Sequence, residues 1–284
     1  MKKRLSFGVI ILNYISYKET INCMEAFLNA SAEDFDVYYA IVENGSTNKS
    51  YDVLMDKFKE NSNVNVLKME KNKGFANGNN EGCTYLREKY NCDYYIFSNS
   101  DILVPDNIFK CINKTYEKYN CDILGPDIYA SKLGIHQNPI KKYSENVLIV
   151  TMKIIKKKIE KNLIKYGIYN GKKEKKKENI TLKEKKIFNC PVHGSFIITN
   201  KTIFEYYNEF FDSRTFLYME EYLLFLKCKK SNLKTMVDLD YQVIHLQGKS
   251  TDSEEKDYKQ KRINRLEREI KSIMIYRNTL LNNN

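Results

Sequence analysis

Over the first 130 residues, short apolar runs of strand length alternate with segments whose apolar residues fall at helical spacing. No other feature of the chain limits its architecture as tightly. The strand-like runs are residues 6–12, 37–42, 64–67 and 94–97. Between them, residues 17–29 carry Ile21, Met24 and Leu28 at helical intervals, and residues 48–58 and 77–89 read the same way. Strands that alternate with helices join through right-handed crossovers, so the chain is predicted to be α/β, with a Rossmann-like, mainly parallel sheet flanked by helices on both faces. With 42% hydrophobic residues and only 4 Pro and 11 Gly in 284, it has the apolar content for such a core and is neither disordered nor low-complexity.

Beyond residue 187 the pattern predicts a strand at 195–199, a helix from about 201, a helix over 219–230 and short strands at 234–237 and 242–245. A long charged helix over 254–281 has Ile263, Leu266, Ile270, Ile273 and Met274 on one side, a surface for docking or for a homodimer. The expected organisation is one domain over 1–250 and a C-terminal helix over 251–284, with a Lys-rich helical insertion at about 141–187. That insertion holds 16 Lys against 5 Glu and so accounts for the whole net charge of +11. Leu148, Met152, Ile155, Ile159, Leu163 and Tyr166 form one apolar stripe on it, with Lys153, Lys157, Lys161 and Lys165 on other faces. The stripe either packs on the core or meets an anionic membrane surface. Residues 172–186 are so charged that a mobile loop is expected.

A nucleic-acid binder usually gathers its basic face from across the fold, with Arg or aromatic stacking groups, whereas this segment contains no Arg. No specific nucleic acid is expected. The seven Cys are odd in number, and no two are spaced as Cys-x-x-Cys, which suggests neither a disulfide framework nor a zinc cluster and fits a reducing cytosol. No apolar run reaches the ~18 residues of a membrane span, and the first 13 residues lack secretory-signal proportions. A cytoplasmic protein, at most peripheral on the inner face of the cell membrane, is the expectation.

In parallel sheets ligands bind beyond the carboxyl ends of the strands. That rule selects Asn13-Tyr14, Glu43-Asn44-Gly45-Ser46 and Ser98-Asn99-Ser100-Asp101, although the same residues also serve as turn formers. Asp101, just past a buried strand, suits a hard cation, Mg²⁺ or Mn²⁺, which keeps water and completes its shell with substrate phosphates. No Gly-x-x-x-x-Gly-Lys-Ser/Thr loop is present, and Gly74, Gly78 and Gly82 lack the dinucleotide spacing. Glu220 and Glu221 open an apolar helix, as partners of its dipole or with one as a general base. His245 ends a strand, as a structural residue or a further metal ligand. His193, before Gly194-Ser195, lines the same cleft.

Taken in order, Ile10 to Tyr14, Ile41 to Thr47, Asn72 to Asn80, Ser98 to Asp101, His193 to Ser195, Phe211-Asp212 to Glu221, and His245 to Ser250 resemble a family-2 glycosyltransferase of the GT-A fold, the group that includes rhamnosyl- and other surface-polysaccharide transferases. The resemblance spans about residues 6–250. It implies a nucleotide-sugar site made from Asn13, Tyr14, Glu43, Asn44, Ser46, Gly74, Phe75, Asn79, Asn80, Asn99, Ser100 and Asp101. It further implies a metal held by Asp101 and His245, an acceptor or sugar pocket at His193, Gly194 and Ser195, and catalysis by Glu221 with Glu220 beside it. Asn99 stands where the family's DxD-like motif has its first Asp, and Glu43 and Glu221 stand where Asp is common. The implied activity is inverting transfer from a nucleotide-diphosphate sugar to a glycan or a lipid-linked oligosaccharide. The competing readings are a sugar nucleotidyltransferase, a nucleic-acid-binding protein and a catalytically silent scaffold.

Overall fold

The computed structural model describes residues 4–169, 184–247 and 258–282. In chain order, β1 (Leu5–Asn13), α1 (Tyr17–Asn29), β2 (Phe35–Glu43), α2 (Ser50–Phe58), β3 (Val64–Lys68), α3 (Gly74–Tyr90) and β4 (Tyr94–Asn99) make the alternating half. There follow β5 (Ile102–Leu103), α4 (Ile108–Tyr119), β6 (Ile123–Ala130), β7 (Ile135–His136), α5 (Val147–Lys165) and β8 (Lys186–Phe188). The chain ends through β9 (Phe196–Asn200), α6 (Ile203–Tyr206), α7 (Glu220–Lys230), β10 (Thr235–His245) and α8 (Tyr258–Asn282). Among the described residues the sheet has the order β3-β2-β1-β4-β9-β6-β10-β5, with β7 on β6 and β8 on β10. β3, β2, β1, β4, β6 and β10 all run one way, and β9 runs against them between β4 and β6. The α/β architecture expected from the alternation is therefore present, with the predicted C-terminal helix.

β1 is apolar throughout because both its faces are covered. Phe7, Val9 and Ile11 pack with Met24 and Phe27 of α1, Leu54 of α2 and Phe109 of α4. Ile10 packs on the other face, with Ala76, Cys83 and Leu86 of α3 and Leu224 of α7. A buried side chain of this size contributes about 1.5–3 kcal/mol, so burial rather than helix propensity holds these layers. Gly78 and Gly82 let α3 lie flat on the sheet. A Cβ on Gly82 would stand 2.7 Å from methyl carbons of Ile10 and Val42, and one on Gly78 would stand 2.4 Å from Leu12. The regular glycine spacing thus serves helix-to-sheet contact.

Two departures from the expected elements share one cause. β6 is an interior strand that contains Pro126, a residue unable to donate to a ladder. Opposite it, the β10 register jumps from Asp238, paired with Pro126, to Gln242, paired with Asp127. Residues 239–241 bulge out there, so the two expected short strands are one strand interrupted by a bulge.

α5 also differs from the simplest expectation. Val150, Ile154 and Ile164 are its buried residues, and Val150 and Ile154 pack with Ile270, Ile273 and Tyr276 of α8 and Leu223 of α7. The stripe of Leu148, Met152, Ile155 and Ile159 lies on the opposite side and is exposed. Arg262 binds Glu160 at 2.7 Å, Lys161 binds Glu267 at 3.2 Å, and Lys157 pairs with Glu269, fixing α5 along α8. The apolar side of α8 is thus occupied within the chain. The expected loop at 172–186 falls, up to residue 183, outside the described residues, as does the start of the expected helix at 254–257. No helix among the described residues is long and apolar enough to cross a membrane.

Candidate active site

β1, β2, β4, β6 and β10 end along one edge, and β9 begins there because it runs the other way. Asn13 and Glu43 are register partners at the ends of β1 and β2. Glu43 is buried, and its Oε1 accepts the Ser46 N–H at 2.9 Å and the Asn13 amide at 3.5 Å, while Asn13 Oδ1 accepts the Thr20 hydroxyl at 2.7 Å. Ser46 Oγ accepts the N–H of Ile15, the left-handed residue that follows Tyr14, at 2.8 Å. The first two loops therefore lock each other. Asn44 accepts the Lys73 N–H at 3.0 Å and donates to Gly74 O at 3.1 Å, tying the second loop to the start of α3.

The residues of α3 face a strap over 211–216. Phe75 N–H donates to Phe216 O at 2.7 Å, and the Asn80 amide exchanges two 2.9 Å bonds with the backbone of Phe211. Asn79 donates to Phe75 O at 3.0 Å, and its buried Oδ1 has no hydrogen-bond partner among the described residues. Asn80 is thus a tie for the strap.

At the end of β4, Asn99 N–H donates to Ser195 O at 2.9 Å and the hydroxyls of Ser100 and Ser16 stand 3.1 Å apart. Asp101 is buried, and its Oδ1 lies 3.3 Å from Nε2 of His245, which ends β10. On the far side of that ring, Nδ1 stands 2.7 Å from Gln137 Oε1. A carbonyl oxygen only accepts, so Nδ1 carries a proton and neutral His245 would turn a lone pair toward the carboxylate. Two electron-rich atoms at that distance call for a cation between them, either a proton on Nε2 or a metal ion.

His193 sits 6.4 Å from His245, ring to ring. Its Nδ1 accepts the Ser195 N–H at 3.2 Å, which leaves the proton of the neutral ring on Nε2. Asn138 accepts the His193 N–H at 2.9 Å. Gln137 thus positions the His245 imidazole and Asn138 the His193 backbone, and neither carries a sequence signal for that role.

Glu221, in the first turn of α7, is part-buried, and its Oε1 accepts the Gly194 N–H at 3.2 Å. Glu220 beside it is 3% exposed, and its Oε1 has no hydrogen-bond partner among the described residues. Burial, followed by the charge of Glu221, pushes its carboxyl up to about 8. The adjacent acids therefore differ, a buried neutral one next to a positioned one. Tyr218 and Met219, just before α7, both take positive φ, 78° and 72°, a conformation that costs roughly 1–2 kcal/mol per residue. The contacts of Phe216 to α3 and the Ser272 hydroxyl on Leu217 O, 2.8 Å, hold it.

Among the described residues no cluster of three or more His, Cys, Asp or Glu would bind a metal with protein ligands alone. Asp101 and His245 offer an oxygen and a nitrogen donor that converge, which fits a cation that completes its shell with water and phosphate oxygens.

A doubly wound sheet with β9 reversed, and with its polar groups gathered on the carboxyl edge, is the GT-A-like architecture expected from the sequence. Residues 8–199 match Glycosyl transferase family 2, and the chain belongs to that family. No curated protein sequence matches it. Among solved structures it resembles S. aureus TarS 1-349 in complex with UDP-GlcNAc, with TM-score 0.54 and 15% identity over 88% of this chain and 62% of that one. The mannosyltransferase PcManGT from Pyrobaculum calidifontis, in complex with GDP-Man and Mn²⁺, gives TM-score 0.55 and 8% identity over 89% of this chain and 59% of that one. The chain thus spans about three-fifths of the length of these structures, and at such identities the likeness concerns the fold.

Proposed function

We propose that the protein is an inverting glycosyltransferase that moves a sugar from a nucleotide-diphosphate sugar to a hydroxyl of a glycan or lipid-linked oligosaccharide, in the synthesis of bacterial surface polysaccharide at the inner face of the cell membrane. The observation that carries this reading is the approach of Asp101 to His245 at the sheet edge, with Glu221 held by Gly194 across the same cleft. The nucleotide sugars in the TarS and PcManGT complexes support the donor class, and the Mn²⁺ in the latter supports a divalent cation, Mg²⁺ or Mn²⁺.

In this reading Asn13, Tyr14, Glu43, Asn44 and Ser46 meet the nucleoside and Asn99, Ser100 and Asp101 the diphosphate, while Gly74, Phe75, Asn79 and Asn80 close the donor site. A cation held by Asp101 and His245 would neutralise charge on the departing diphosphate. Glu221 takes the proton of the acceptor hydroxyl, which a carboxylate does once it is held within hydrogen-bonding reach. The Gly194 N–H fixes one oxygen of that carboxylate. Glu220, neutral over most of the physiological range, adds no second negative charge beside the base. His193, Gly194 and Ser195 line the pocket for the sugar or acceptor.

Thermal-shift measurements with UDP- and GDP-sugars, with and without Mn²⁺, test the reading. A ligand that binds the native state alone raises the unfolding temperature. The expected result is a rise with one nucleotide sugar that grows with Mn²⁺ and disappears in Asp101→Ala. No rise with any donor would overturn it.

A further inference from the structure

The apolar stripe of α5 faces away from the protein. Leu148 is 76% exposed, Met152 70%, Ile155 51%, Ile159 54% and Tyr166 73%, whereas the helix meets α7 and α8 through Val150 and Ile154 on its other side. Helical geometry puts Lys156 on one flank of this ridge and Lys158 and Lys165 on the other, and all three are exposed. The one acid of the helix, Glu160, is turned inward to Arg262. The outward face therefore combines a continuous aliphatic ridge with positive charge on both sides and no negative charge.

We infer that this face is a membrane-docking surface, with the ridge dipping into the acyl boundary of an anionic bilayer and the lysines at headgroup level. The inference deepens the transferase reading, on which its choice of a lipid-linked acceptor rests. A ridge of large aliphatic side chains needs an apolar partner, and the flanking lysines need an anionic one; an anionic lipid surface supplies both. A second copy of the chain would set lysines against lysines, with no acid on the face to match them. The helix is also fixed to the candidate catalytic region. Its ion pairs run to α8, where Ser272 holds Leu217 O at 2.8 Å and Thr279 accepts from Arg214 at 3.0 Å, and Met219 and Leu223 pack into the same cluster. Docking α5 would therefore hold the cleft at a set position relative to the membrane.

Vesicle flotation at low ionic strength tests this with the full chain. The probes are phosphatidylcholine vesicles and equimolar phosphatidylcholine–phosphatidylglycerol vesicles. The wild type is expected to float with the anionic vesicles and to be released as salt rises. The variant Met152→Ser/Ile155→Ser/Ile159→Ser, and separately Lys156→Glu/Lys158→Glu/Lys165→Glu, should each bind at least about tenfold less. Both sets are exposed, so an unchanged circular dichroism spectrum and unfolding temperature are expected. Equal flotation of the apolar triple variant and the wild type would overturn the proposal, and so would no binding of wild type to anionic vesicles. A wild-type dimer that the same variant turns into a monomer would overturn it too, by assigning the ridge to self-association. The thermal shift with nucleotide sugars should be the same in all these proteins, so failure of vesicle binding leaves the transferase reading intact, and failure of donor binding leaves the docking result standing.

Discussion

The Gly194 N–H donates to Oε1 of Glu221 at 3.2 Å, and a methyl group built on Gly194 would stand 2.7 Å from that same oxygen. The turn before β9 and the first turn of α7 are fitted to each other at a separation where any added side chain would push the carboxylate aside. Gly194→Ala is expected to displace the carboxylate and lower kcat by about tenfold or more, since a small misplacement of a reacting group is enough to do this. The KM for the nucleotide sugar should stay near the wild-type value. Steady-state kinetics of both constants checks the split.

Glu221→Gln keeps the shape of the side chain and its contact with Gly194 but removes the proton acceptor. Transfer should fall by about a hundredfold or more, within the ~10²–10⁴ range for a positioned base. Binding of the donor, read by thermal shift, should survive. Full transfer by this variant would show that the proton leaves by another route.

Asp101→Ala removes the negative partner of His245. A loss on the order of 3 kcal/mol in transfer is expected, as when one preorganised charge stabiliser is deleted. His245→Ala should cost less, about tenfold, and should raise the Mn²⁺ concentration needed for half-maximal rate. Metal titrations of the two variants and the wild type, alongside circular dichroism to verify folding, distinguish a ligand role from a structural one.

Glu220 links stability to pH. Its carboxyl rises from an ordinary 4.5 to about 8 on folding, so between those values the folded protein binds more protons than the unfolded chain. Its contribution is fully present below about pH 4.5, declines as pH rises toward 8, and is level above that. Glu220→Gln should therefore raise the unfolding temperature above pH 8, by an amount on the order of a few kcal/mol in stability, and leave it nearly unchanged at pH 4. Thermal melts of the two proteins across this range give the difference directly.

Gly82→Ala tests the packing of α3 on the sheet. Its Cβ meets methyl carbons of Ile10 and Val42 at 2.7 Å, and both residues are fully buried, so neither gives way easily. Overpacking of this kind costs about 1–3 kcal/mol. The denaturant midpoint should fall by the corresponding amount.

Continuous apolar runs made β1, β2 and β4 legible, because a strand covered on both faces can contain little else. The rule that parallel sheets bind at their carboxyl edge then found the loops at Asn13, Glu43 and Asp101. α4 went unread although Ile108, Phe109, Ile112 and Tyr116 do carry its helical spacing. β6 was hidden for a physical reason, since Pro126 contradicts an interior strand unless a bulge elsewhere absorbs it, and that bulge lies more than a hundred residues along the chain. A separation of 108 residues likewise divides His245 from Gln137, so the partner that sets the tautomer leaves no local trace. For α5 the periodicity shows the stripe, and nothing in it tells that the rest of the protein will cover Val150 and Ile154 instead.

α8 reaches back to the loop that precedes Glu220 and Glu221, through Ser272 to Leu217 and Thr279 to Arg214. During synthesis, the strained turn at Tyr218 and Met219 emerges after α3, which holds Phe216, but well before Ser272 and Thr279. A product truncated after β10 would keep the sheet and its loops but lose these two ties, leaving Glu221 less firmly placed.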